Sequence, residues 1–355
     1  QAHCQIYGGD FTVLHGDAPR WHPPRTYVDR LLADPAAWLE SEHANLCAMV
    51  RLAAEYGLHE HCWDLAVSLV TLFELRCYFS DWERTHHQAL AAVRDAGNRR
   101  GTAAVLCSLG SLYLTWGRSH TAGELIEPAL RMFEELGDAH GTAMARRNLA
   151  LLQHRLGNRD EAAVAYRTAL TEFREAADPV GQAYVLAQIA RLVLEAGDED
   201  AAAGRLYEAL EICREFGCTR VELQVRYQLS GLMTRQRRFG EADAILTDLL
   251  ATVRAERDII GEARILHRSG LVKAELGDLT AAEELFRVAL ELCEQTMDHR
   301  VAAQVRLELA LVLADRGGQQ EAASLLSRAM TTFSERNMTA SLRRAEAALD
   351  AIGAA

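Results

Sequence analysis

Histidine and cysteine side chains cluster near the start of the chain, where they could bind a transition metal. His59, His61 and Cys62 lie within four positions, and His43 and Cys47 are spaced by one helical turn. A structural zinc site needs four converging ligands, and neither group supplies four. We therefore predict no metal and no cofactor, and we expect Cys62 to enter the core from the start of a helix.

The chain lacks the common short motifs of catalytic sites. It contains no G-x-x-x-x-G-K-[ST] loop for nucleotide phosphates, no H-E-x-x-H metal motif and no G-x-S-x-G nucleophile turn. Acidic pairs such as Glu134 and Glu135 recur within helical patterns, where they are typical of solvated faces. The sequence thus predicts a protein that is not an enzyme and has no catalytic residues.

Arginine is the residue type whose spacing points to binding. Polar and basic residues recur opposite the apolar stripe of the central helices, at Arg147, Asn148, Arg155, Tyr184, Gln188, Arg191, Tyr227, Gln228, Arg235, Arg264, His267 and Arg268, with Gln224 in the same pattern. The chain as a whole is acidic, with 38 Lys and Arg against 50 Asp and Glu, a formal charge of −12. Cations concentrated on one face of an acidic protein favour an anionic ligand, such as an acidic peptide segment. The alternative is a merely hydrated surface.

Composition excludes several classes of partner and compartment. The acidic balance argues against direct nucleic-acid binding, which needs a net basic face, and no apolar run is long enough to span a membrane. The eight cysteines include no C-x-x-C and are interpreted as reduced thiols, Cys213 and Cys218 included. With Gln1 first and no signal-peptide pattern, the sequence is interpreted as part of a longer cytoplasmic protein.

These side chains are carried by a repeat with a 40-residue period, which runs without insertion or deletion over residues 101–340. One position is alanine in all six copies: Ala122, Ala162, Ala202, Ala242, Ala282 and Ala322. Another is glycine in five copies, at Gly117, Gly157, Gly197, Gly277 and Gly317, with Arg237 in the sixth. Each copy has two apolar stripes of helical period on either side of this glycine, which predicts an antiparallel helix pair with small residues at the contact. We expect Asn158, Asp198 and Asp278 to begin second helices as caps.

The repeat resembles the tetratricopeptide (TPR) family in a form with six residues more than the usual 34. A β-propeller would need a strand period, and HEAT or armadillo units lack this order of small residues. The predicted fold is all-α, a TPR superhelix of antiparallel helix pairs. In that family the first helix of each pair lines the concave surface, so the resemblance places the arginine-rich face in a groove.

The flanking regions complete the predicted domain organisation. Residues 1–34 hold three prolines and no helical period, so they are interpreted as an irregular linker. Residues 35–100 form a helical cap with a degenerate first repeat, in which Asp34 and Pro35 start a helix that reaches about Tyr56. Residues 341–355 form a closing helix. The tryptophans Trp38, Trp63 and Trp82 form either an aromatic core of the cap or an interface with another domain.

Three stretches of the cap resemble the sensor segments of SARP-type and NB-ARC (STAND) multidomain transcriptional regulators. They are AAWLESEHANLC at 36–47, AAEYGLHEHCW at 53–63 and YFSDW at 78–82. The resemblance implies a regulatory module that binds a protein, peptide or small ligand and controls ATPase and DNA-binding parts, including its own upstream nucleotide-binding domain as a partner. A freestanding TPR scaffold and a receptor for peptide pheromones are the alternatives.

Overall fold

The computed structural model describes residues 1–7, 14–296, 298–336 and 338–353, and within these ranges it contains helices and no strands. The helices are α1 (Ala2–Tyr7), α2 (Arg25–Leu31), α3 (Pro35–Ser41), α4 (His43–Glu55), α5 (His59–Ser68), α6 (Val70–Arg76), α7 (Phe79–Asp95), α8 (Arg99–Thr115), α9 (Ser119–Leu136), α10 (Ala139–Leu156), α11 (Arg159–Glu175), α12 (Pro179–Glu195), α13 (Glu199–Phe216), α14 (Thr219–Arg235), α15 (Phe239–Ala255), α16 (Ile259–Glu275), α17 (Leu279–Gln295), α18 (His299–Asp315), α19 (Gln319–Glu335) and α20 (Thr339–Gly353). The chain divides into two compact units, residues 1–228 and residues 229–355.

Helices that follow each other in sequence pack against each other in space. In the first unit the closest pairs are α8 with α9, α10 with α11, and α12 with α13. In the second unit they are α16 with α17, and α18 with α19. The structure confirms the predicted all-α architecture of antiparallel helix pairs with a TPR-like order.

The small residues of the repeat lie where two helices come closest. The six recurrent alanines are completely buried, three in each unit. A Cβ atom added to Gly110 would lie 2.4 Å from Cγ1 of Ile126, and one added to Gly141 would lie 2.4 Å from the ring of Phe133. Helices within a pair, and helices of neighbouring pairs, therefore approach closely only because these positions carry little or no side chain.

The helix pairs turn at left-handed residues. Gly157 and Gly277 have φ of +88° and +82°, the conformation that ends a helix and that glycine adopts without steric cost. Arg237 takes the same position in the fourth repeat and has φ of +59°. The backbone turn is thus conserved there at an expected cost of about 1–2 kcal/mol, since a Cβ atom disfavours this conformation.

Caps at the helix starts partly match the expectation. Asp198 and Asp278 accept hydrogen bonds from the backbone N–H groups of Ala201 and Ala281, as predicted. Asn158 precedes α11 but makes no capping bond. A second series of caps, spaced by 40 residues before first helices, was not predicted and comprises Asn98, Asp138, Asp178, Asp258 and Asp298.

The N-terminal region departs from the prediction in two ways. Residues 1–34 are not entirely irregular, because α1 and α2 lie within them. Pro24 directly precedes α2, a favourable place for proline, whereas α1 is stabilised by side-chain contacts with later helices. The single helix expected from Pro35 to about Tyr56 is divided at Glu42 into α3 and α4, although Asp34 caps its start as predicted.

Two of the three tryptophans support the aromatic-core interpretation of the cap. Trp63 and Trp82 are completely buried, while Trp38 is half-buried on α3. The indole of Trp82 donates to the hydroxyl of Ser108 at 3.1 Å. Cap and first repeat are therefore packed together through side chains of both.

Candidate functional site

The first pair of predicted site residues is held in one orientation by hydrogen bonds. Arg147 and Asn148 on α10 are only 6% and 2% exposed, so they are more buried than the sequence pattern suggested. Arg147 donates through Nε and Nη2 to Oδ1 of Asn148, at 3.1 and 2.7 Å. Asn148 in turn donates to Oγ of Ser111 on α8, at 2.8 Å. The guanidinium group is thus fixed by the neighbouring repeat.

Two further arginines approach the same region from α10 and α12. The guanidinium carbon of Arg147 lies 5.3 Å from the centre of the Tyr184 ring, a cation–π distance. Arg155 donates to the main-chain carbonyl of Leu114. Nη2 of Arg191 lies 2.8 Å from Nδ1 of His154, whose Nε2 is 2.9 Å from a carboxylate oxygen of Glu195. Burial lowers the pKa of His154, Glu195 opposes that shift, and the Arg191 charge adds to it.

Tyr166 on α11 completes this group and was not predicted. It is completely buried, and its hydroxyl has no hydrogen-bond partner among the described residues. The Nε atom of Arg191 is also buried without such a partner. Burial and Tyr184 raise the pKa of Tyr166, whereas Arg191, Arg147 and Arg155 oppose the shift. Two buried donors therefore lie in a region of positive potential.

We name this group the arginine site and define it as Arg147, Arg155, Tyr166, Tyr184 and Arg191. Guanidinium groups and a tyrosine hydroxyl are donors suited to a carboxylate or phosphate. A hydroxyl buried without a partner costs free energy of about 1–3 kcal/mol. An anionic group placed here would accept from donors that the protein itself leaves unsatisfied.

A cavity of about 150 Å³ adjoins the arginine site within the first unit. Its lining combines predicted residues with others: Tyr7, Leu14, Val67, Val70, Glu74, Trp82, Ala104, Cys107, Ser108, Ser111, Leu114, Thr115, Met144, Arg147, Asn148, Leu151, Tyr184 and Gln224. The structure thus places Arg147, Asn148, Tyr184 and Gln224, which share the predicted polar face, in the lining of one cavity.

Ser108, which lines the cavity, is paired with a buried histidine of the cap. Oγ of Ser108 lies 2.8 Å from Nε2 of His86. Burial lowers the pKa of His86 to about 3, so the imidazole is neutral at ordinary pH. The Ser108 hydroxyl therefore joins the polar lining of the cavity to the cap, through a neutral imidazole behind it.

The other predicted residues lie in less clustered positions. Gln188 is buried on α12, Tyr227 and Gln228 are half-buried on α14, and Arg235 is exposed at the end of that helix.

In the second unit, Arg264 is 3.7 Å from a carboxylate oxygen of Asp298, and Arg268 contacts Oγ of Ser230 at 3.5 Å. Burial, with Arg268 and Arg344, lowers the pKa of His267 to about 4, so this member of the predicted set is uncharged.

One of the site residues that were not predicted, Tyr166, has a recognisable signal in the sequence. Tyr166 occupies the repeat position that holds Ile126, Leu206, Leu246, Phe286 and Leu326 in the other copies. A hydroxyl at a position that is otherwise apolar marks a polar site within the core. Tyr7 and Glu74 carried no such signal, because they lie outside the repeat.

The cap gathers three potential metal ligands rather than four within the described residues. Ligand atoms of His43, Cys47 and Asp81 lie within 4.8 Å of one another, and Nε2 of His43 is 3.0 Å from Oδ2 of Asp81. Arg84 forms an ion pair with the same aspartate. Burial and Asp81 raise the pKa of Cys47 to about 11, so its thiol is protonated. His59, His61 and Cys62 do not join this group.

Comparison with known proteins agrees with this architecture. The tetratricopeptide repeat family model matches residues 261–335. No curated protein sequence matches the chain. No helix within the described ranges is both long and apolar enough to cross a lipid bilayer.

Several solved structures have a similar fold. A Rap protein complexed with competence and sporulation factor superposes with a TM-score of 0.60 at 16% identity, over 84% of this chain and 80% of that one. NprR in complex with its cognate peptide NprX gives 0.56 at 13% identity, over 79% of each chain.

A STAND signal-transduction ATPase with a tetratricopeptide-repeat sensor, from Pyrococcus horikoshii, gives 0.51 at 15% identity. That match covers 91% of this chain but only 55% of the ATPase. At these identities the likeness establishes the fold alone. The family match over residues 261–335 and these superpositions agree on a TPR-like helical solenoid.

Proposed function

We propose that the chain is the sensor module of a STAND-type transcriptional regulator and that the arginine site binds the acidic part of a protein or peptide. The observation that supports this most directly is the pair of buried donors, the Tyr166 hydroxyl and Nε of Arg191, which have no hydrogen-bond partner among the described residues.

The chemistry of the site favours a carboxylate. Arginine binds carboxylates through two parallel hydrogen bonds, and these charge-assisted bonds are stronger where solvent is scarce. The adjoining cavity also has the exposed amide side chain of Gln224, which is able to pair with an extended peptide backbone. An acidic peptide segment therefore satisfies the charge of the site and the polarity of its surroundings.

The direct test measures binding of a fluorescein-labelled polyglutamate peptide by fluorescence anisotropy at low salt. Arg191→Gln is expected to weaken binding roughly tenfold or more, as is usual when a charge-assisted hydrogen bond is lost. Arg167→Gln is the matched control, because Arg167 is exposed on α11 beside Tyr166 and its loss changes the net charge equally. Equal affinities for the two variants would contradict the assignment of the arginine site.

The regulatory role needs a separate test, in the whole natural protein that contains this segment. If the segment is a sensor, ligand binding shifts the population of conformations and alters the activity of the ATPase and DNA-binding parts. Deleting the segment should then change basal ATPase and operator binding. Unchanged basal activity and unchanged response to inducer would favour a scaffold, and a response to short peptides alone would favour a pheromone receptor.

A further inference from the structure

The first helix of the chain is docked through a pair of side chains one turn apart. His3 and Tyr7 are both buried, and their rings stack with centres 4.8 Å apart. Nδ1 of His3 pairs with Oγ1 of Thr71, and the Tyr7 hydroxyl donates to Oε2 of Glu74 at 2.7 Å. Thr71 and Glu74 are themselves one turn apart on α6, so successive turns of α1 contact successive turns of α6.

The carboxyl end of α1 is bound by a different repeat. Oγ1 of Thr219, the first residue of α14, donates to the main-chain carbonyl of Ile6 at 3.0 Å. A helix of six residues is not stable by itself in water. The conformation of α1 therefore depends on these contacts with α6 and α14, all of which lie in the first unit.

The docked helix reaches the cavity beside the arginine site. Tyr7, Glu74, Arg147, Tyr184 and Gln224 all line that cavity. Burial and the Glu74 charge raise the pKa of Tyr7, so its phenol remains a hydrogen-bond donor at any ordinary pH. The aromatic end of α1 thus occupies space that a peptide bound at the arginine site would approach.

We propose that Thr71, Glu74 and Thr219 form a docking surface for a short helix that carries two buried polar rings one turn apart. Helix α1 is its resident occupant, and a partner peptide in the cavity competes with α1. The competition rests on the proposed function of the arginine site, whereas the docking of α1 does not. The partner class that fits is a helical peptide with a tyrosine for Glu74 and an acidic residue for the arginines.

If a peptide competes with α1, its apparent affinity depends on how often α1 is undocked. When an internal segment occupies a site, the apparent affinity of an external ligand is reduced by the fraction of molecules in which the site is open. Variants that undock α1 should therefore bind the polyglutamate probe more tightly. Glu74 complicates a simple Tyr7 truncation, because its carboxylate would lose the Tyr7 hydrogen bond and its charge would repel that probe.

The experiment therefore uses Glu74→Gln as the background, since the glutamine oxygen still accepts from Tyr7. In the complete chain, hydrogen exchange measured by mass spectrometry is expected to show protected amides at Gln5–Tyr7 in the wild type and in Glu74→Gln. Adding Tyr7→Ala should remove that protection and tighten probe binding about threefold or more. Adding Gln5→Ala instead, at an exposed position of the same helix, should change neither quantity.

The outcomes separate the two parts of the proposal. Amides of α1 that exchange equally fast in every protein would overturn the docking. Loss of protection without tighter binding would overturn the competition. If the probe binds none of the proteins, the proposed function fails, and the exchange data still decide whether α1 is docked.

Discussion

Corresponding positions of the second and fifth repeats form a polar site in the first unit and an apolar contact in the second. Arg147 and Tyr166 occupy the repeat positions of His267 and Phe286. Around Tyr166 there are three arginines, whereas the imidazole of His267 lies 5.9 Å from the ring of Phe286. The backbone framework is the same in both, so a few side-chain identities decide whether a helix pair carries a binding site or only a core.

The difference is reinforced by the small residues nearby. Gly270 is so close to Phe286 that an added Cβ atom would lie 2.4 Å from the ring. Ala150 occupies that position in the second repeat. The fifth repeat thus uses a glycine there for close packing against its aromatic ring, and the second repeat has no such glycine.

The largest predicted effect concerns the framework that both repeats share. Ala162→Leu and Ala282→Leu should each lower the free energy of unfolding by about 1–3 kcal/mol, because both alanines are completely buried between helices and the extra atoms overpack the contact. Chemical denaturation followed by circular dichroism measures this. Leucine at the exposed Ala201 and Ala251 is the control, and equal stability of all four variants would show that the register is wrongly placed.

A second prediction concerns the fifth repeat alone, where His267 makes the stability of the protein depend on pH. His267 is neutral in the folded protein, with a pKa of about 4, and takes up a proton on unfolding. Its contribution to stability is therefore complete above pH 6.5 and is lost as the pH falls towards 4. Between pH 7 and pH 5 the loss is about 2 kcal/mol.

The measurement compares wild type with His267→Leu at both pH values. The stability difference between them should change by about that amount in favour of the variant at pH 5. His120→Leu, at an exposed histidine on α9, should show no such change. A pH dependence identical in wild type and His267→Leu would refute the assignment of a buried neutral imidazole.

The smallest effect on stability comes from making the second repeat like the fifth. Tyr166→Phe removes a buried hydroxyl that has no partner, so the free energy of unfolding should stay constant or rise by up to about 1 kcal/mol. The same change should weaken binding of the polyglutamate probe. Opposite signs for stability and binding would sharpen the contrast between the repeats, whereas lower stability would mean that the hydroxyl has a structural partner.

The repeat is the part of the fold that the sequence predicts well. Alanine at one position of every copy, and glycine at another, specify a close helix contact and a left-handed turn wherever they occur, because each effect is local. Even Arg237 adopts the glycine conformation, since the surrounding pair determines the turn. The series of asparagine and aspartate caps was equally local and could have been identified from its 40-residue spacing.

The repeat pattern predicts only part of the arginine site. The repeat position indicates that Arg147, Tyr184 and Gln224 share a face, but not that Asn148 and Ser111 bury Arg147 and fix its direction. Nor does a helical period show that Tyr166, from the second helix of a pair, extends its hydroxyl among arginines from first helices.

The sequence by itself determined the helix pairs, their period, their turns and the acidic balance of the chain. The first three depend on residues that are close together along the chain, and the last is a sum over its charged residues. Only the tertiary structure decided that α1 forms at all and that Tyr7 reaches Glu74, since a short segment rich in neither helix formers nor caps has no local reason to fold. It also decided which predicted cations lie near one cavity. Burial, which follows from packing between repeats, made one of them a neutral histidine and left two donors at the arginine site without a partner.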